Sequence, residues 1–84
     1  MFKVQKKDGV QEDFDRNKII HGATKSGASL EEAEKVVVEI EKWLPLASVN
    51  GVIATSAVRA KVLEVLGTLN PVAASIFQNY KKSA

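Results

Sequence analysis

The sequence predicts an α+β fold, a four-helix bundle with a small β-hairpin laid over one end. Three observations lead there. Apolar and polar residues alternate through Phe2–Lys7 and run into Asp8-Gly9, the pattern of a strand entering a tight turn. Four later stretches carry apolar residues at helical spacing, each opened or closed by a capping residue. The chain has 84 residues without a linker, repeat or low-complexity segment. It is therefore expected to form a single domain over residues 1–84.

The elements follow in order. Phe2, Val4 and Lys6 alternate with Lys3, Gln5 and Lys7 as a half-apolar strand. Asp8-Gly9 suits a type I′ turn, and Val10–Phe14 returns as a polar second strand. A two-stranded hairpin is marginal alone and must lie on something. Asp15 caps helix 1, expected over Arg16–Lys25 with Ile19, Ile20 and Ala23 inward and Gly27 as its stop. Ser29 and Glu32 form a capping box for helix 2, whose stripe is Leu30, Ala33, Val37, Ile40 and Leu44, with Pro45 ending it. Val52-Ile53-Ala54, after Asn50-Gly51, reads either as a loop or as a third short strand. Thr55 or Ser56 caps helix 3, with Val58, Val62, Val65, Leu66 and Leu69 on its inner face. Asn70-Pro71 starts helix 4, which places Ala73, Ile76, Phe77 and Tyr80 together and ends in Lys81-Lys82.

Composition excludes several chemistries. There is no cysteine, and His21 is the lone histidine, so disulfides, thiolate metal sites and multi-histidine centres are out. His21 reads as a surface or partly buried residue. Gly22 and Gly27 are spaced like a phosphate loop, but Ala28 stands where that loop needs lysine. The carboxylates of helix 2 read as a solvated face with Glu31–Lys35 as a weak pair. No nucleophile, base and oxyanion donors assemble, so the sequence predicts no enzyme. Net charge is only +2, yet it is divided unevenly. Acids crowd Glu31–Lys42, and the basic surplus lies at the two ends. A dipolar domain with a basic end suits an anionic ligand such as a nucleotide phosphate. The modest charge and the lack of stacking aromatics in the hairpin argue against nucleic acid as a partner. With no apolar run long enough for a bilayer and no signal core, no membrane contact and a cytoplasmic location are expected.

One constellation carries more. Val4-Gln5-Lys6-Lys7-Asp8-Gly9, followed by Glu12-Asp13-Phe14-Asp15-Arg16-Asn17-Lys18-Ile19, resembles the ATP-cone family. That family opens with an apolar residue, a spacer and Lys-Arg-Asp-Gly. A glutamate comes next, and then a Phe-Asp-x-x-Lys-Ile helix start. Each residue has an ordinary explanation, since edge lysines deter aggregation and Asp15 is a good cap. Their joint order and spacing are what point to the family. The downstream helices match its layout, so the resemblance covers the whole chain.

The resemblance implies a three-stranded lid over the bundle, which favours a strand at Val52–Ala54, with ATP or dATP held between lid and bundle. Mg2+ is the accompanying ion to test. On this reading Lys6 and Lys7 point to opposite faces of their strand, one to phosphates beneath the lid and one across its rim. Lys18 converges on the same anion from helix 1. Glu12 and Asp15 are acceptors for the adenine amino group or ribose hydroxyls, and the main chain of Val4 reads the adenine edge. Thr55 offers a hydroxyl, Arg59 reaches phosphate, and Lys81 or Lys82 closes the site from helix 4. Lys7 departs from the family's arginine and loses a planar bidentate fork.

Such domains regulate the large subunit of many ribonucleotide reductases and occur in a nucleotide-sensing repressor of those genes. The implied function is regulatory and non-catalytic: control of a ribonucleotide reductase or a similar partner through nucleotide-dependent protein contacts. A protein partner or self-association follows, with the apolar Trp43-Leu44-Pro45-Leu46 run as a docking candidate and helix-end core as its simpler explanation. The alternatives are a small basic nucleic-acid-binding domain, or an interaction domain that has lost nucleotide binding. Neither a catalytic domain nor a zinc ribbon accompanies these residues. The chain therefore reads as a free-standing cone or as part of a larger protein.

Overall fold

The computed structural model describes residues 2–80. Three strands, β1 (Lys3–Gln5), β2 (Gln11–Asp13) and β3 (Val52–Ala54), form one sheet in the order β2-β1-β3. β1 is antiparallel to β2 and parallel to β3, so Val4 has Glu12 on one side and Ile53 on the other. Four helices complete the fold: α1 (Arg16–Lys25), α2 (Leu30–Ala47), α3 (Thr55–Leu69) and α4 (Pro71–Tyr80). α1 packs on α2, α2 on α3, α3 on α4, and α4 returns to α1. The α+β architecture, with its third strand, is the one expected.

The core runs through the bundle. Ala23, Ala33, Val36, Ile40, Leu44, Val62, Leu66 and Ala73 are buried there, and Ile53 brings the sheet onto it. Phe2, Val4 and Phe14 pack half-buried from the hairpin side. These apolar contacts tie three-residue strands to the helices, which such short strands need for stability.

Local chemistry sets the helix ends. Asp15 accepts from the Asn17 amide, and the Ser29–Glu32 capping box forms in both directions. α1 closes with paired bonds from Gly27 N–H to Thr24 O and from Ala28 N–H to Ala23 O. That Schellman pattern needs a left-handed residue, and Gly27 has φ +107°. Asn70 accepts from the Ala73 amide, and Pro71 takes the first helical position of α4.

Several expectations are corrected. The Asp8-Gly9 turn is not type I′: Gly9 is the left-handed residue there, and Asp8 is not. Lys6 O accepts from Gly9 N–H and Lys6 N–H reaches Val10 O, which makes a three-residue hairpin loop. The second strand shortens accordingly to Gln11–Asp13. The primed turn instead lies at Asn50 (φ 54°) and Gly51 (φ 78°), closed by mutual bonds between Val49 and Val52. Pro45 does not stop α2, which continues to Ala47. In a last turn proline removes one main-chain bond, while Ser48 N–H still reaches Leu44 O. Neither Thr55 nor Ser56 caps α3; Ala54 holds that position without a side-chain bond. Leu30 (59% exposed) and Ile76 (44% exposed) lie outside the core they were expected to join. Glu31 and Lys35 form no ion pair among the described residues. Leu46 is 85% exposed while Leu44 is buried, so the Trp43–Leu46 run is divided between core and surface.

Candidate functional site

A cleft of about 270 Å³ opens between the sheet and the bundle. Its polar rim carries Lys6, Glu12, Asp13, Asp15, Lys18, Thr55 and Arg59, and its apolar wall Val4, Phe14, Ile19, Val58, Val62 and Phe77. The folding logic that places them is local. The hairpin register sets Val4 opposite Glu12. Asp15 then starts α1 directly after β2, which puts Lys18 in the first helical turn beneath Glu12. β3 runs without a loop into α3, so Thr55 stands at the junction and Arg59 one turn later.

Glu12 is the hub of the rim. Lys6 Nζ lies 3.0 Å from its Oε2 and Lys18 Nζ 3.4 Å from its Oε1. The hydrogen bond from Lys6, then that from Lys18, holds the Glu12 carboxyl below its ordinary 4.5. Arg59 approaches from the other wall. Its Nη2 donates to Phe77 O at 2.8 Å and Gln78 O at 3.3 Å, and the guanidinium carbon lies 4.7 Å from the Phe77 ring centroid. The N-terminus of α3, with no side-chain cap, adds main-chain N–H groups beside Thr55.

Val4, Lys6, Glu12, Asp15, Lys18, Thr55 and Arg59, all singled out from the sequence, thus line one cleft. Lys7 does not. It sits in the turn, not on the strand, so the expected alternation of Lys6 and Lys7 between two faces fails. Lys81 lies outside the described residues. At Val4, bonds from Phe14 N–H to Phe2 O and from Lys6 N–H to Val10 O stand on either side along the strand, so Val4 and Glu12 form the hydrogen-bonded pair between them. Sequence reasoning missed Asp13, Phe14, Ile19, Val58, Val62 and Phe77 as cleft residues. Phe14 had a signal in its place beside Asp15; Phe77 read only as core.

A larger groove, about 580 Å³, runs between α2 and α3. Glu31, Glu34, Glu39 and Glu64 line it against Lys35 and Lys61, which repels a polyanion. The smaller cleft is the better candidate for an anionic ligand. Among the described residues no cluster of metal-ligating side chains occurs and no helix is long and apolar enough to cross a membrane.

Fold and cleft together define a small α+β ligand-binding domain: a three-stranded lid over four helices, with three cations and three carboxylates around an apolar slot. The chain belongs to the ATP-cone family, whose ATP cone domain model matches residues 2–81. It is a regulatory type of domain. Curated relatives include three proteins named transcriptional repressor NrdR. The one from Oceanobacillus iheyensis is 31% identical over 93% of this chain and 54% of its own length. That from Geobacillus kaustophilus is 36% identical, again over 93% of this chain, and 56% of itself. The Synechococcus protein is 37% identical over the same share of this chain and 42% of its own. The chain spans about half the length of the curated relatives it matches. No solved structure matches it. Because the relatives are named as repressors of transcription, the expectation that nucleic acid is no partner loses its support at the level of a whole protein.

Proposed function

We propose that this domain binds ATP or dATP in the cleft between sheet and bundle and acts as the nucleotide-sensing module of a regulator. The observation that carries the reading is the convergence of Lys6, Lys18 and Arg59 on one apolar slot. The slot is just below the roughly 300 Å³ at which small-molecule pockets begin. An adenine base would fill the apolar part, between Val4, Phe14 and Phe77, and the phosphates would lie at the rim. There Lys6 and Lys18 would exchange part of their pairing with Glu12 for phosphate oxygens. Glu12 and Asp15 remain as acceptors for the amino group or ribose hydroxyls. Lys7, at the turn, would reach only an outer phosphate, and Lys81 is the candidate from beyond α4.

The family and the repressor relatives support a sensing role, with nucleotide occupancy changing contacts made to protein or, through the rest of a longer protein, to DNA. Control of ribonucleotide reduction, by either route, is the process this sensing would serve. The test is calorimetric titration with ATP and dATP, each with and without Mg2+, and with GTP as control. Saturable heat from the adenine nucleotides with GTP silent is the expected result. No heat and no thermal stabilisation from any of them would overturn the reading. Binding of generic DNA with steep salt dependence would favour a direct nucleic-acid role instead.

A further inference from the structure

We infer that Arg59 is an exchange point: an anion that takes its guanidinium in the cleft competes with the C-terminal turn of α4 for the same donors and loosens it. The inference rests on the nucleotide reading above and deepens it, because it says how occupancy leaves the site.

The argument is geometric. A guanidinium grips two oxygens of one phosphate through either of two edges, Nε with Nη2 or Nη1 with Nη2. Both forks use Nη2. That nitrogen already faces two carbonyls, Phe77 O at 2.8 Å and Gln78 O at 3.3 Å. Nη2 carries two N–H groups and either fork engages one of them, so bidentate capture of a phosphate leaves one at most for the two carbonyls of α4. The exchange is favourable in direction, since the guanidinium meets the carbonyls as a cation on neutral oxygens and would meet a phosphate as an ion pair through two parallel bonds.

What is released matters for the fold. Phe77 and Gln78 lie in the last described turn of α4, where a cation near the carbonyls stabilises the helix end. The same guanidinium stacks on the Phe77 ring. The ring also lies against α1, so closely that a Cβ at Gly22 would stand 3.2 Å from Phe77 Cε1. Phe77 thus links α3, through Arg59, to α1, at Gly22. Removing the guanidinium from that link loosens the last turn of α4 while the first turn stays held by Asn70.

The test is NMR-detected amide exchange of the 84-residue chain, with and without ATP, in the wild type and in Arg59→Met, which keeps the stem but loses the fork. Resonances of Lys6, Lys18 and Thr55 report binding; exchange at Asn79 and Tyr80 reports the α4 end. In the wild type, ATP should move the first set saturably and raise exchange in the second about tenfold, the loss of one charge-assisted hydrogen bond at the low end of its range. In Arg59→Met the α4 end should exchange at the raised rate without ATP. Cleft resonances that move while Asn79 and Tyr80 keep their protection would overturn the proposal and spare the nucleotide reading. An Arg59→Met chain with a wild-type α4 end would overturn it too. Cleft resonances that ignore ATP would defeat the nucleotide reading and this proposal with it.

Discussion

Glu12 stands between two lysines, and that placement governs both its titration and the cleft's charge. Its carboxyl is held below 4.5, first by the Lys6 hydrogen bond and then by Lys18. A depressed folded-state value means its contribution to stability is complete above the ordinary carboxylate value and disappears as pH falls through the lowered one. The gap in melting temperature between wild type and Glu12→Gln should therefore close on acidification from neutral pH through the carboxylate range. A gap that stays constant would show that the pairing with Lys6 and Lys18 is not formed in solution. For the ligand, Lys6→Ala and Lys18→Ala should each weaken triphosphate binding about tenfold, the worth of a charge-assisted bond, and leave the far-ultraviolet dichroism unchanged. Unaltered affinity in both would remove the site assignment but not the fold. These residues were legible in the sequence because a hairpin register and a helix start fix them within a few positions of one another. Lys7 was misplaced by one structural step, since the strand ends at Gln5 and the turn begins beyond Lys6.

At the level of elements, the junctions hold more information than the helix bodies. Asn70 serves two of them at once: Oδ1 accepts from the Ala73 amide to cap α4, and Nδ2 donates to Glu32 Oε1 at 3.0 Å. Glu32 is itself the second half of the α2 capping box, and the Asn70 bond is the foremost cause holding its carboxyl below the ordinary value. Asn70→Ala should cost about 1–2 kcal/mol in urea denaturation, the loss of a cap. Asn70→Asp keeps the cap but sets a second carboxylate against Glu32, so it should restore only part of that loss at neutral pH. Full recovery in Asn70→Asp would mean the bridge to Glu32 contributes nothing. The sequence showed the caps, because Asp15, Ser29 with Glu32, and Asn70-Pro71 act within one turn. It misjudged the Asp8-Gly9 turn, because Asp-Gly and Asn-Gly both favour positive φ and only the strand register decides which becomes the primed turn. It also misjudged Pro45, whose lost bond falls where the helix is ending anyway. The cap signal of Thr55 or Ser56 fails because it is local and does not reveal that β3 runs straight into α3.

Across the whole molecule, a domain of this size has little stability to spare, and ligand binding and folding are therefore linked. The α2–α3 groove carries an excess of carboxylates, whereas in the cleft Lys6, Lys18 and Arg59 are matched by Glu12, Asp13 and Asp15, and the acidic run of α2 is already visible in the order of residues. The aromatic lining of the cleft was not visible, because Phe14 and Phe77 also pack against the core and periodicity cannot tell a wall from a filling. Ile40 offers a way to test the linkage. It is fully buried in the bundle and does not line the cleft. Ile40→Ala should cost about 2–5 kcal/mol, a large part of the total for a small domain. If ATP binds only the folded form, a nucleotide concentration about a hundredfold above Kd returns about 2.7 kcal/mol. In a chain of this length that is a rise of roughly 10–20 °C in Tm. ATP should thus restore much of the cooperative melt of Ile40→Ala, and should do so far less in the double variant Lys18→Ala/Ile40→Ala at the same concentration. Equal rescue in both would place the nucleotide somewhere other than under the sheet, since Lys18 lines that cleft and not the α2–α3 groove. No rescue in either, alongside ATP binding to the wild type, would mean that the cleft forms only when the bundle core is intact.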